Sequence, residues 1–380
     1  MKTLFTCQYP FDLNSGAAGV TWRLGREFEQ LGHDVEYYFI NDLPKVHPLV
    51  KFASFPAFVG CHLSQRLRQD AIDVIDTCTG DAWLWATALQ RFQPHRPLLV
   101  VRSHGLEHTQ HLDELEEAQR GNLTLGWKYF MYRGSLRLWE AATSMRHADL
   151  VLLLNQRDRS YAIEQLGIHP DRAHIVANGI SAAMLNLPFE PTPAAGEPVR
   201  IAQVSSYIFR KGIQYGTPIL NAILRRYPQV EVSLLGTERP ADEVYADFAP
   251  EVRDRVKVVP YYVNDTLPTL LKGHHIKLFP TVSEGFGVAL IEAMACGLAP
   301  VTTDAAGPLE IVQEGYDALV VPRRDRAALE RALDTLICDR ALLDQVRRRA
   351  YKSAQRFSWS RIAQDNLHYY EKAEFNRLPR

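Results

Sequence analysis

Two glutamates, Glu284 and Glu292, flank the stretch Gly285-Phe286-Gly287-Val288, which runs into an apolar helical pattern closed by Gly297. The glycines allow a tight loop. A helix that starts there turns its first backbone N–H groups, and the positive end of its dipole, toward one point: a ready anion site. Glu284 belongs to the loop, and Glu292 lies more than a turn into the helix. The pair can therefore touch two separated parts of one long ligand with its anionic portion between them. Other groups capable of chemistry stand at the ends of apolar runs. Arg210, Lys211 and Gly212 follow Val199 to Val204, Gly16 and Gly19 follow the first apolar run, and His104 follows Leu98 to Arg102.

The elements needed to hold these groups are legible as buried strands alternating with helical patterns. Strands are expected at Leu4 to Cys7, Val35 to Ile40, Val74 to Thr77, Leu98 to Arg102, Asp149 to Leu154, Ala173 to Val176, Val199 to Val204, Val230 to Leu235 and Val256 to Pro260, with a further run ending at Phe279-Pro280. Val20, Leu24, Phe28 and Leu31 share one helical face, and Gly32 closes that helix. This alternation makes a doubly wound α/β chain. Its glycines do not spell GxGxxG, so no nicotinamide site is read. Pro44 to Leu67 reads as a helical insertion carrying Phe52, Phe55 and Phe58. Glu116 to His147 reads as one long helix whose aromatics, Trp127, Tyr129, Phe130, Tyr132 and Trp139, form a core stripe. Its basic residues, Lys128, Arg133 and Arg137, leave peripheral contact with an anionic membrane open. Pro188, Pro191, Pro193 and Pro198 mark a semi-rigid linker.

The stretch from Ser283 to Gly297, continued by Pro300 to Val312, resembles the Glu-x7-Glu signature of the retaining glycosyltransferases of sequence family four. That resemblance implies the GT-B fold: two Rossmann-like doubly wound domains facing a central cleft, with the C-terminal helix crossing back to the first domain. The expected division is 1–187 for the acceptor-side domain, 188–198 for the linker, 199–358 for the nucleotide-sugar domain and 359–380 for the returning helix. It further implies that Glu292 accepts the two ribose hydroxyls, since a carboxylate has two acceptor oxygens for a vicinal diol, and that Glu284 holds the donor sugar. The diphosphate would be met by Gly285, Phe286, Gly287 and Val288, by Lys211 and Arg210, and by the loop at Gly16 and Gly19. Tyr262 would sit against the base, and His104 near the reacting sugar. Family members usually show Gly-Arg before Lys-Gly; Ser205-Ser206 replaces that pair here, with Lys211-Gly212 kept and Arg210 a possible substitute. Asn178-Gly179-Ile180 is similar to a family turn and is read as structural.

The function implied by the resemblance is metal-independent, front-side transfer of a sugar from a nucleoside diphosphate sugar, with uridine favoured by family frequency, to a glycan, lipid-linked or small-molecule acceptor. Polysaccharide biosynthesis is one such setting. No cofactor is expected. Two alternatives stay open: a non-hydrolysing sugar-nucleotide epimerase, and a nucleotide-sugar-binding protein without turnover. The run His104-Gly105-Leu106-Glu107-His108 also matches an inverted zinc-protease pattern, although Gly105 would break the helix which that pattern requires. His108 and His111 are expected on the surface of the next helix. With 43 Lys+Arg against 44 Asp+Glu, nothing pulls the chain globally toward nucleic acid. Five cysteines without a CxxC pair suit a reducing compartment. The start of the chain is too short in apolar length for a signal peptide, and a cytoplasmic protein is expected, with peripheral contact at the inner face of the membrane left open.

Overall fold

Parallel strands buried on both faces need continuous apolar runs rather than alternation, and such runs build both sheets of this chain. The computed structural model describes residues 1–12, 16–44, 48–194 and 196–377. The end of the first loop (13–15), part of the insertion (45–47), one linker position (195) and the last three residues of the returning segment (378–380) lie outside the described residues.

The first compact unit comprises Met1–Glu116, Thr124–Gly179 and Trp359–Arg380. Its sheet contains β1 (Lys2–Cys7), β2 (Asp34–Phe39), β3 (Val74–Cys78), β4 (Leu98–Arg102), β5 (Leu150–Leu153) and β6 (Ala173–Ile175), all parallel, in the order β2-β1-β3-β4-β5-β6. Helix Gly16–Gln30 and the final helix Trp359–Arg377 cover one face. There Phe28 meets Tyr370 edge-on, and Val20, Leu24, Ile362 and Leu367 share a core with β1, β3, β4 and β5. Helix Pro48–Gln69 covers the other face with Phe55, Val59, Leu63 and Leu67. The insertion is thus helical, as its composition suggests, and Phe55 is a core residue.

The second unit comprises Glu117–Leu123 and Ile180–Ser358. Its sheet contains β7 (Val199–Val204), β8 (Val230–Leu235), β9 (Val256–Val259), β10 (Ile276–Phe279), β11 (Ala299–Thr303) and β12 (Leu319–Val321), in the order β12-β11-β10-β7-β8-β9. Helices Ile213–Arg226, Arg326–Cys338 and Arg340–Ala354 bury an aliphatic core against it. Each sheet is a doubly wound, Rossmann-like sheet, and together they are the two halves of the GT-B fold.

Three expectations are corrected. The segment read as one helix from Glu116 to His147 is broken once: helix Glu107–Gln119 ends near Gly121, which has φ +76°, and helical structure resumes at Trp127–Met131 and continues through a π-helical turn, Tyr132–Leu136, into Arg137–His147. Its aromatic stripe is not core, because Trp127 is 67% and Met131 66% exposed, and Phe130, Leu136 and Trp139 are exposed as well. His108 is buried against the Tyr161 ring, and His111 is half-buried with its Nδ1 2.7 Å from the Tyr129 hydroxyl, so neither is a plain surface residue.

Candidate active site

In an open α/β sheet, ligands collect outside the carboxyl ends of the strands where the strand order reverses. In the second unit that point lies between β7 and β10. The segments that leave these two strands carry Arg210-Lys211-Gly212 and Thr281 to Gly287. Gly212 has φ +75°, and a β-carbon there would lie 1.8 Å from the Pro280 carbonyl oxygen, so only glycine lets the turn press against the end of β10. The Arg210 carbonyl then accepts bonds from the Thr281 hydroxyl at 3.0 Å and the Val282 amide at 3.1 Å. This stitching sets the Lys211 ammonium 2.5 Å from Glu284 Oε2. Burial would push the Glu284 carboxyl up, but the charges of Lys211 and Arg210 outweigh it and hold the group below its ordinary range. Burial lowers Lys211, and Glu284 partly restores it.

Gly287, at φ +111°, opens helix Val288–Ala295, and no side chain caps it. Its first amides are therefore turned toward the loop. Phe286 is buried against Phe357, so what this loop can offer a ligand at that position is backbone. Glu292 is buried on the same helix and accepts a bond from Asn264 Nδ2 at 2.9 Å. The ring of Tyr262 lies over Gly236, where a β-carbon would approach it to 2.8 Å. Burial first, and then the charges of Glu292 and Glu238, raise its phenol well above the ordinary value. Thus Arg210, Lys211, Tyr262, Glu284 to Val288 and Glu292 all gather at one sheet edge. Lys277, Asn264 and Glu238 were not anticipated. Of these, only Lys277 left a signal in the sequence, as a lone cation inside the apolar run Ile276-Lys277-Leu278-Phe279.

Gly16, Gly19 and His104 belong to the first unit. Gly16 and Gly19 lie within the opening turns of helix Gly16–Gln30; Gly16 is exposed with open space around it, and Gly19 is buried. His104 follows β4, and Gly105, at φ +128°, separates it from helix Glu107–Gln119. The buried His104 Nε2 has no hydrogen-bond partner, and burial together with the Arg102 charge brings its pKa down to about 3, so the ring is neutral. His104 and His108 do not share a helix, and Glu107 is engaged by Thr79 and by Arg137 at 3.0 Å. Among the described residues no three His, Cys, Asp or Glu side chains group as a metal site would require.

The first sheet reverses its order between β1 and β3. At that edge stands a polar cluster that the sequence did not announce. Buried Asp81 accepts from Thr6 Oγ1 at 3.2 Å, and Arg137 lies 3.0 Å from Glu107 and 3.6 Å from Glu140. Burial pushes the Asp81 carboxyl up to about 7, against the pull of Arg137. Asn178-Gly179 is structural: a β-carbon on Gly179 would meet the Trp359 ring at 2.7 Å.

Family models match both halves of the chain. The family model described as "Glycosyltransferase Family 4" matches residues 14–183, and the one described as "Glycosyl transferases group 1" matches residues 198–339. The alpha-maltose-1-phosphate synthase of Mycolicibacterium smegmatis is 28% identical over 272 residues, covering 65% of this chain and 69% of that protein. Other curated relatives match over shorter shares of their own length, as little as 29%. Sucrose-phosphate synthase from Thermosynechococcus elongatus has a similar structure, with TM-score 0.77 at 18% identity and 99% of each chain covered. The Anabaena protein Alr3699/HepE, solved in complex with UDP-glucose, has TM-score 0.68 at 19% identity, covering 98% of this chain and 100% of that one.

Proposed function

This chain belongs to glycosyltransferase family four, and from that premise we propose that it transfers a sugar from a UDP-linked donor to a glycan, lipid-linked or small-molecule acceptor, with retention at the anomeric carbon and without a metal ion. One observation carries the reading: Lys211, paired with Glu284, stands beside an uncapped helix start, and Glu292 projects from that same helix. Transfer lengthens the bond between the anomeric carbon and the phosphate oxygen, and negative charge grows on the diphosphate. Lys211, Arg210 and the amides of Gly285 to Val288 meet that charge with fixed donors. These cations are what favour metal independence. Glu284 holds hydroxyls of the sugar, and Glu292 holds those of the ribose. On the front-side route the acceptor oxygen bonds to the anomeric carbon on the face the phosphate leaves, and the acceptor proton passes to the departing phosphate oxygen. His104, neutral, has a hydrogen bond rather than a charge to offer. The UDP-glucose complex of the Anabaena neighbour favours uridine. We take the enzyme to work in the cytoplasm, with peripheral contact at the inner membrane face supported by the exposed Trp127 and Phe130 beside Lys128 and Arg133. The near-even charge supports no nucleic-acid partner.

Calorimetric titration with UDP, and turnover with UDP-sugars, test this reading. Glu292→Ala is expected to weaken UDP binding by about 10- to 100-fold, the scale of one or two charge-assisted hydrogen bonds. Glu284→Ala is expected to leave UDP affinity within a few-fold and to lower turnover. Equal UDP affinity for wild type and Glu292→Ala would sink the assignment. Conversion of the donor sugar with no acceptor present would favour the epimerase. Tight donor binding without transfer to any acceptor would favour the binding protein that the missing Gly-Arg pair leaves open.

A further inference from the structure

Lys277 is a buried cation that the mechanism above leaves unused. It lies on β10, between β7 and β11, and its side chain is fully buried. A charge in such a place is costly unless something compensates it. No carboxylate pairs with it among the described residues. Its ammonium instead donates to the carbonyl of Val204 at 3.1 Å. Val204 is the last residue of β7, and Ser205-Ser206, which stand where family members usually carry Gly-Arg, follow it directly. The Lys277 ammonium is therefore anchored at the root of the loop that lacks the expected cation.

The surroundings point to the same site. The Lys277 ammonium lies 5.2 Å from the centre of the Phe279 ring, and the Lys211 ammonium lies 6.0 Å from that ring. Burial, and then the Lys211 charge, drive the Lys277 pKa well down, while Glu292 and Glu284 pull it back up. Two lysines and two glutamates thus share one low-dielectric edge. Two carboxylates flanking a diphosphate would repel it, and a cation beneath them offsets that repulsion at a range where little water screens it.

We propose that Lys277 is a positioning residue for the donor diphosphate, supplying from beneath the sheet edge the positive charge that the Ser205-Ser206 loop does not carry. The proposal rests on the nucleotide-sugar reading above. It predicts that removing the charge weakens recognition of phosphate and spares recognition of the nucleoside.

The test compares UDP, ADP and GDP, each with its own nucleoside, by calorimetry for the diphosphates and ligand-observed NMR for the weaker nucleosides. The pair that wild type binds is carried to two variants. Lys277→Met removes the ammonium at similar volume, and Lys277→Gln also keeps a donor for the Val204 carbonyl. Both are expected to bind the diphosphate at least 10-fold more weakly, with nucleoside affinity unchanged. If the methionine variant does not fold, the glutamine variant alone decides. A proportional loss of both ligands, or an unchanged ratio between them, assigns Lys277 to packing and overturns the proposal. A wild type that binds no nucleoside diphosphate overturns the underlying function, and this inference with it. That outcome is distinct from the failure of Lys277 alone.

Discussion

Burial favours the uncharged form of a carboxyl group, and Asp81, with no exposed surface and its pKa pushed up to about 7, carries that bias furthest. The unfolded chain releases this proton near the ordinary value of about 3.9. Between about pH 4 and 7 the folded protein therefore binds more protons than the unfolded one, and stability falls as pH rises through that window. Above about 7 the penalty is complete, at most about 4 kcal/mol from the size of the shift. Asp81→Asn removes the titration and keeps an acceptor for Thr6. Its Tm relative to wild type is expected to rise steadily between pH 5 and 7 and to level off above that. A Tm difference that stays flat over that range would show that Asp81 is not protonated in the fold. Asp81 was not legible beforehand, because it looks like an ordinary polar residue after a strand and its burial is decided by strands distant in the chain. Lys277 left a signal as a lone cation in an apolar run, but its burial at the site depends on the neighbouring strands. Glu284, Glu292 and Lys211 stood out because adjacent glycines mark the Glu284 and Lys211 loops and the Glu-x7-Glu spacing carries Glu292 into the helix that follows.

At the level of elements, ten of the twelve strands among the described residues, β1 to β10, could be read from the sequence because strands of a parallel sheet covered on both faces are largely apolar, whereas β11 and β12 were not read. The helices after β4 could not. An aromatic run at helical spacing looks the same whether it faces core or solvent, and the break at Gly121 depends on one positive φ. The outcome is a set of exposed apolar side chains, Trp127, Phe130, Met131, Leu136 and Trp139, with Lys128 and Arg133 among them. If it rests on lipid, wild type will co-sediment with phosphatidylglycerol vesicles and less so with phosphatidylcholine vesicles. Trp127→Ala combined with Phe130→Ala should lower the partition by at least about 10-fold, since each buried aromatic contributes roughly 1.5–3 kcal/mol. Identical sedimentation of wild type and the double variant would remove the membrane from the account.

Across the whole molecule, one pattern occurs twice: a parallel sheet whose strand order reverses, with charged groups gathered at the reversal. The first copy is completed by a segment from the far end of the chain. The stripe Ile362, Leu367 and Tyr370 could be read as a helix returning to the first domain, but the buried polar pair it meets there could not. Arg102 and Asp76 form a buried pair at 2.6 Å on β4 and β3, Asn366 accepts from Arg102 at 2.8 Å, and the Tyr370 hydroxyl bonds to Asp76. A buried pair is weak evidence for stability, yet breaking one half of it leaves an uncompensated charge, at a cost of about 3–5 kcal/mol. Asp76→Ala should therefore lower Tm by roughly 10 °C and expose the backbone amides of Trp359–Arg377 to hydrogen exchange. If the pair serves to seat the last helix, and not to stabilise outright, the double variant Asp76→Leu with Arg102→Met should recover most of the lost Tm, because no orphan charge remains. A double variant as unstable as the single would mean that the ion pair itself, and not the removal of an unpaired charge, holds this helix to its sheet.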